Sequence, residues 1–312
     1  MTMMELIPAR DVPLGGIRAL TVRRTLPSRQ RSLIGAWCFV DHFGPDRVEG
    51  GMSFAPHPHT GLQTVSWLFT GEVEHRDSTG AHAFVRPGQL NLMTAGRGVS
   101  HSEVSTPQTE VLHGVQLWIA LPDASRHDPP DFEHYAPAAV EGEGWTARVF
   151  LGSLLGQRSP VRTRTPLLGA EILLGPGQRL DLAVDPDFEH GFLVDAGRLT
   201  VDGSHVPVND LGYLEQGRAG LELRAYDEPV RLLLLGGPPF GEEILMWWNF
   251  IGRQHEEIEQ YRAEWHAQIV RDGDLVTNGQ ALAPGRFGLV TGEWRAPVPA
   301  PTLPNSRLLP RK

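Results

Sequence analysis

The sequence predicts an all-β protein made of two β modules of similar size, followed by one amphipathic helix and a Pro-rich tail. Three observations predict it. Of 312 residues, 35 are Gly and 26 are Pro, close to one residue in five against about 12% in average usage, so long uninterrupted helices cannot dominate. From Val22 to about Leu235 the chain is a succession of short apolar or alternating runs bounded by turn residues, the pattern of barrel or sandwich strands. A chain of 312 residues exceeds what one core usually serves, at roughly 150 residues per domain.

The first module shows its strands plainly. TVSWLF (64–69) stops at Thr70-Gly71, HAFV (82–85) before Pro87-Gly88, and LHGVQLWIAL (112–121) before Pro122-Asp123. RVFLGSLLG, AEILLGPGQ, HGFLVDAGRLTVDG and VRLLLLGGPP continue the pattern in the second. The modules echo each other: VRPGQLNLMTAGRG (85–98) is answered by VPVNDLGYLEQGRAG (206–220), and WLFTGEVE (67–74) by FLVDAGRLTV (192–201). Gly71 and Gly197 lie 126 positions apart and Gly96 and Gly217 lie 121 apart, near-equal offsets that point to duplication. From Glu242 to about Arg271 only Gly252 interrupts a run in which Ile258, Tyr261, Trp265 and Ile269 recur at three and four residue steps. That spacing predicts an amphipathic helix packed on a barrel. RAPVPAPTLPNSRLLPRK (295–312) reads as an exposed or draped tail.

Charge and cysteine usage exclude several classes. A formal charge of −9 argues against direct nucleic-acid binding, which needs a basic face. Cys38 is the single cysteine, so there is no intrachain disulfide and no thiolate cluster; it reads as a small buried hydrophobe. The opening MTMMELIPARDVPLGG has no basic region followed by an apolar stretch, and no 18 consecutive residues are apolar. The expectation is a cytoplasmic protein without a membrane partner.

Two pairs of metal-binding side chains stand out. His57 and His59 lie in APHPHTGLQTV, and His101 and Glu103 in AGRGVSHSEV. Residues i and i+2 of a strand share a face, so neighbouring segments would bring four ligands together. Three imidazoles and a carboxylate suit a first-row metal such as iron. Pro56 and Pro58 hold the first pair extended, and Gly96 and Gly98 predict a tight turn before the second. His75, His82, His113, His127 and His134 lack such a partner and read as structural or exposed. His255 and His266 belong to the helix surface or its packing.

The run HPHTGLQTVSWLFTGEVEHRDSTG followed by PGQLNLMTAGRGVSHSE resembles the signature of pirins, a branch of the cupin superfamily. The resemblance is specific over residues 35–121 and looser to about residue 268. It implies a bicupin, two stacked β-barrels of double-stranded β-helix type with a C-terminal amphipathic helix. It also implies one divalent metal in the N-terminal barrel alone, held by His57, His59, His101 and Glu103. Iron is expected first, with nickel, copper, manganese and zinc as alternatives. The implied division is 1–135 for the metal-binding barrel and 136–312 for the second, including the helix at about 242–271 and the tail. At the offsets above, His57, His59, His101 and Glu103 correspond to Ala183, Asp185, Glu222 and Arg224. The second module, left with His190 and His205, therefore cannot assemble the ligand set. Many cupins carry Glu four residues after the HxH pair; here Gln63 stands there, able to hydrogen-bond around the site but not to act as a base.

For function, the resemblance implies an oxygenase of quercetin 2,3-dioxygenase type, with a flavonol or similar aromatic enol and O2 as substrates. Glu103 would be the catalytic base, the metal a Lewis acid, and Phe54, Trp67 and Trp118 either the wall of the substrate cavity or barrel core. The alternative is an iron-dependent redox-sensing regulator that binds a protein partner without turnover. Storage or sugar binding on a cupin scaffold is a third reading.

Overall fold

Alternating side chains place one face of each strand inside a barrel and the other against solvent or a second sheet. The computed structural model describes residues 4–14, 20–48, 51–277, 284–292 and 296–311, and two stacked β-barrels are built from these. In the first, a seven-stranded sheet runs Asp131–Tyr135, Leu90–Thr94, Leu62–Thr70, Val111–Ala120, Trp37–Arg47, Leu20–Leu26 and Arg10–Leu14. It faces a four-stranded sheet ordered Ser53–His59, Val99–Ser105, Val73–Asp77 and His82–Val85. The second barrel repeats the plan. Its long sheet runs Glu5–Ile7, Leu211–Leu214, Glu189–Ala196, Val230–Gly237, Leu168–Leu174, Trp145–Leu151 and Val140–Gly142. Its short sheet runs Arg179–Ala183, Gly220–Ala225, Leu199–Val201 and Ser204–Val206. The all-β, two-barrel expectation is met, and the strand Glu5–Ile7 crosses to the second barrel by pairing with Leu211–Leu214.

The long sheets pack on each other through one continuous core. Trp37, Val65, Trp67 and Leu117 of the first barrel meet Phe150, Leu193, Leu233 and Leu235 of the second. Each contributes about 1.5–3 kcal/mol when fully buried. Trp67 and Phe150 have ring centroids 4.6 Å apart, so Trp67 belongs to this seam and not to a substrate wall. The Trp37 indole N–H is shared between the carbonyls of Leu168 and Gly236, at 3.2 Å each.

A polar cluster joins the same two barrels. Asp195 Oδ1 accepts from His113 Nε2 at 2.6 Å and His42 Nε2 at 2.8 Å, while Arg231 reaches Asp195 Oδ2 at 3.2 Å. Burial opposes the Asp195 charge, but the hydrogen bonds from His113 and His42 outweigh it and hold the carboxyl well below its usual range. Burial also lowers the His42 pKa, although Asp195 pulls it upward.

The helix is shorter than its spacing predicts. Residues 242–254 contain a hairpin of Leu245–Trp247 and Phe250–Gly252, turning at Trp248 with φ +52°. Helix α1 runs only His255–Ile269. The Glu257 carboxylate accepts from the backbone N–H groups of Arg253 and Gln254, at 2.6 and 3.0 Å, which closes the helix start. A turn made without Gly or Pro gave no signal in the composition. Ile258, Tyr261, Trp265 and Ile269 are buried as the spacing predicts, beside Phe250 and Phe287.

This C-terminal part returns to the first barrel. The Ile251 amide donates to the Thr60 carbonyl at 3.0 Å, Ser100 Oγ to the Phe287 carbonyl at 2.9 Å, and the Val298 amide to the Pro56 carbonyl at 2.8 Å. Trp265 Nε1 donates to the Val298 carbonyl at 2.8 Å, so the tail is draped over the barrel. Arg295 and Lys312 of that tail, and residues 1–3 and 15–16 of the opening segment, lie outside the described residues. Among the described residues no helix is long and apolar enough to cross a membrane.

The polar cluster makes stability fall on acidification. His42 has a folded pKa below the ordinary imidazole value of 6.5, so below that pH the unfolded chain binds the proton first and stability declines. Asp195 has a folded pKa below the ordinary aspartate value of 3.8; its contribution is present above that pH and is lost as pH falls through the lowered value. Asp195→Asn should lower stability at pH 7 by about 3 kcal/mol, the usual cost of breaking a buried charge pair, and flatten the acid limb. Urea titrations at several pH values measure both; an unchanged midpoint would show that the cluster does not couple the barrels.

Candidate metal centre

The two predicted pairs meet because their strands are neighbours. Ser53–His59 pairs antiparallel with Val99–Ser105, with His101 opposite His57 and Val99 opposite His59, and the register slips between His101 and Glu103. On the other side, Val73–Asp77 sets Asp77 opposite His101 and His75 opposite Glu103. The turn before the second pair needs its glycines: Gly96 has φ +51°, and a Cβ there would stand 2.0 Å from the Asp128 carbonyl oxygen.

His59 Nε2 and His101 Nε2 face each other at 3.1 Å, and the His57 ring lies 4.3 Å from that of His101 and 5.2 Å from that of His59. Donor atoms of His57, His59 and His101 all lie within 4.8 Å of one another, and so do those of His75, His101 and Glu103. Three of the four predicted residues thus form one triangle, and Glu103 joins it only through His101, in a second triangle whose third corner is His75. His59 and His101 are buried, whereas His57 and Glu103 are half-buried and open to a cavity.

Hydrogen bonds set the imidazoles for coordination. His57 Nδ1 donates to the Ala55 carbonyl at 2.9 Å, leaving Nε2 with a lone pair. Asp77 Oδ2 lies 3.2 Å from His75 Nε2, and His75 Nδ1 lies 3.4 Å from His101 Nδ1. With Asp77 accepting from His75 Nε2–H, His75 Nδ1 accepts from His101 Nδ1–H and the His101 Nε2 lone pair points at His59. Burial lowers the His57 pKa to about 4. Burial and neighbouring imidazoles lower those of His59 and His101 well below the usual value. The rings are neutral at pH 7, as a donor set for a divalent first-row metal must be. Burial pushes the Glu103 carboxyl up, partly offset by His75 and by the Ser66 hydroxyl, whose Oγ is 3.2 Å from Glu103 Oε1.

The cavity beside these residues has a volume of about 400 Å³ and mainly apolar walls, including Phe39, Phe54 and Trp118, with Trp248, Asn249 and Val298 contributed by the C-terminal segments. His75, read from sequence as structural or exposed, is buried against His101; the His75-x-Asp77 spacing on one strand face was the available signal. Gln63 turns away from the site and donates to Thr94 Oγ1 at 2.9 Å. His82, His127, His134 and His266 are exposed. His42, His113 and Asp195 also bring three donor atoms together, but the carboxylate already accepts both imidazole N–H groups and faces Arg231, leaving those nitrogens no lone pair for a metal.

Among the described residues the second barrel has no such site, for a reason one residue out of step with the sequence alignment. The strand order sets Arg179–Ala183 and Gly220–Ala225 in the places of Ser53–His59 and Val99–Ser105. Their inward side chains are Leu180, Leu182, Leu221 and Leu223, all buried, whereas Ala183, Asp185 and Arg224 are exposed. Leu182, Leu221 and Leu223, not Ala183, Glu222 and Arg224, occupy the positions of His57, His101 and Glu103, since a shift of one residue exchanges the two faces of a strand. Both readings leave the second barrel without ligands, and the leucines fill it.

Known proteins share both halves of this design. Residues 19–119 match the family model described as Pirin, and residues 169–271 match that of the Pirin C-terminal cupin domain. A Pseudomonas aeruginosa protein named provisionally as a quercetin 2,3-dioxygenase is 46% identical over 276 residues, 88% of this chain and 87% of its own. A pirin-like protein of Caulobacter vibrioides is 34% identical, covering 88% of this chain and 96% of its own. The crystal structure of a quercetin 2,3-dioxygenase from Acinetobacter baumannii superposes with a TM-score of 0.87 at 37% identity, covering 97% of this chain and 96% of that one. With both cupin domains matched and the fold shared over almost its whole length, the chain belongs to the pirin family.

Proposed function

We propose that the chain is a metal-dependent oxygenase of quercetin 2,3-dioxygenase type, acting on a flavonol or a similar aromatic enol with O2. The observation that carries this reading is the grouping of His57 and His59 with His101, and of Glu103 with the same His101, in the lining of one mainly apolar cavity. The relatives named as quercetin dioxygenases support it. Three neutral imidazoles and a carboxylate would hold one divalent ion, iron first by donor type. When bound, the metal supplies Lewis acidity that favours the enolate over the enol.

The chain's own residues do the rest. Glu103, the carboxylate of the set, takes the enol proton on Oε1 or Oε2. Ser66 Oγ, set between Glu103 Oε1 and Gln116 Oε1 at 3.2 and 2.9 Å, orients the carboxylate. Phe39, Phe54 and Trp118 flank a planar ligand and keep water from the reacting carbon. Opening of the flavonol ring with release of carbon monoxide is the reaction this arrangement serves.

Iron-loaded protein incubated with quercetin under air should consume the flavonol and release carbon monoxide; absence of metal-dependent turnover with the site shown occupied would remove the reading. His59→Ala should lower metal content from about one ion per chain to below about one-tenth, as expected for loss of a ligand, with turnover lost in parallel. Glu103→Gln should cost about 10²- to 10⁴-fold in kcat, the usual range for a general base. His75→Phe, which removes the acceptor for His101 Nδ1–H, should weaken metal binding about 10- to 100-fold in a chelator competition, without altering the ligands themselves.

A further inference from the structure

A second polar feature interrupts the apolar wall of the same cavity. Arg24 and Asp41 are cross-strand partners, and both line the cavity. Arg24 Nε reaches Asp41 Oδ1 at 2.7 Å and Arg24 Nη2 reaches Asp41 Oδ2 at 2.8 Å. Asp41 is buried. A guanidinium has five N–H donors, and this pair uses two; among the described residues no other acceptor meets Arg24. An ion pair set in an apolar wall is costly to keep unless a ligand uses its remaining donors and lone pairs.

The pair is linked to the histidines by a ladder of rings across the barrel wall. Trp118 meets His59 edge-on with centroids 5.3 Å apart. Phe39 stacks on Trp118 at 4.0 Å and 12°, and the Arg24 guanidinium carbon lies 4.2 Å over the Phe39 ring. A flat molecule with its reacting end at His59 and Glu103 would run along this ladder and bring its far end to Arg24 and Asp41. We propose that Arg24 and Asp41 read oxygen substituents at that far end, so that the ligand class is an aromatic enol carrying phenolic hydroxyls on the ring remote from the reacting carbon. Arg24 donates its unused N–H groups to such oxygens, and an Asp41 oxygen accepts a phenolic hydrogen. This rests on the proposed use of the cavity as a substrate site.

Three flavonols that differ only in their pendant ring provide the test: quercetin with two hydroxyls there, kaempferol with one and galangin with none. Binding to the metal-loaded protein is followed under nitrogen by quenching of tryptophan fluorescence, and turnover is followed separately in air. The wild type should bind quercetin about tenfold more tightly than galangin, the scale of one hydrogen bond to a charged group, with kaempferol between them. In the double variant Arg24→Met/Asp41→Leu, which leaves no unpaired charge, quercetin affinity should fall to that of galangin, with galangin affinity and metal content unchanged. Turnover should show the loss in KM and not in kcat. Arg24→Lys keeps the charge but loses the fork; it should lose most of the preference, and it serves as the comparison if the double variant does not fold.

Equal wild-type affinities, or a preference that survives these substitutions, would overturn the assignment while leaving an oxygenase reading intact if turnover is seen. Binding with the predicted preference but no turnover would support the assignment and count against the oxygenase. Failure of all three flavonols to bind would overturn both.

Discussion

The antiparallel pairing of Ser53–His59 with Val99–Ser105 is the constraint on which the site depends. Because side chains alternate along a strand, this register turns His57, His59, His101 and Glu103 inward together, and a slip of one residue would expose the set. The register is held from several sides. Gly96 and Gly98 permit the turn into the second strand, Val73–Asp77 closes its other edge, and Phe287 takes the Ser100 hydroxyl from above. The candidate ligands are therefore placed by backbone pairing, the tautomers of His75 and His101 by the short chain from Asp77, and that of His57 by the Ala55 carbonyl.

The two barrels divide the work by what fills them. In the second, leucines meet across the interior and leave a solid core; in the first, the equivalent positions carry His57, His101 and Glu103 and the interior stays open as a cavity of about 400 Å³. The solid barrel is not idle. Its long sheet buries Trp37 and Trp67 of the first, and Asp195 ties His42 and His113 to it. The open barrel thereby gains from its neighbour part of the packing that its own interior lacks. The C-terminal hairpin, helix and tail make up the remainder by closing over the strands that carry the ligands.

Much of this was legible in the residues. Short runs ending at Gly or Pro marked the strands, the echo between halves marked the duplication, and the two spaced pairs marked side chains that the sheet brings to one cavity. What escaped was what local pattern does not encode. A hairpin turning at Trp248-Asn249 carried no Gly or Pro, so it read as helix. Trp67 was left between cavity wall and barrel core because alternation tells which residues share a face, not which of two buried faces looks into the barrel and which onto a second sheet. The alignment between halves was one residue out, enough to exchange inward leucines for outward polar side chains. His75 read as unpaired because its partner, His101, is distant in sequence and adjacent only across the sheet.

The sequence by itself determined the strand periodicity, the duplicated plan, the four candidate donor side chains and the lack of an equivalent set in the second half. These follow from residue type and spacing within single strands. Tertiary structure alone decided which strands became neighbours, that Asp77 and His75 stand behind His101, that the helix and tail cover the first barrel, and that Arg24 and Asp41 share a cavity with the histidines. Each of those is a contact between segments far apart in the chain, formed when sheets close into barrels and barrels pack on each other, and no local periodicity carries that information.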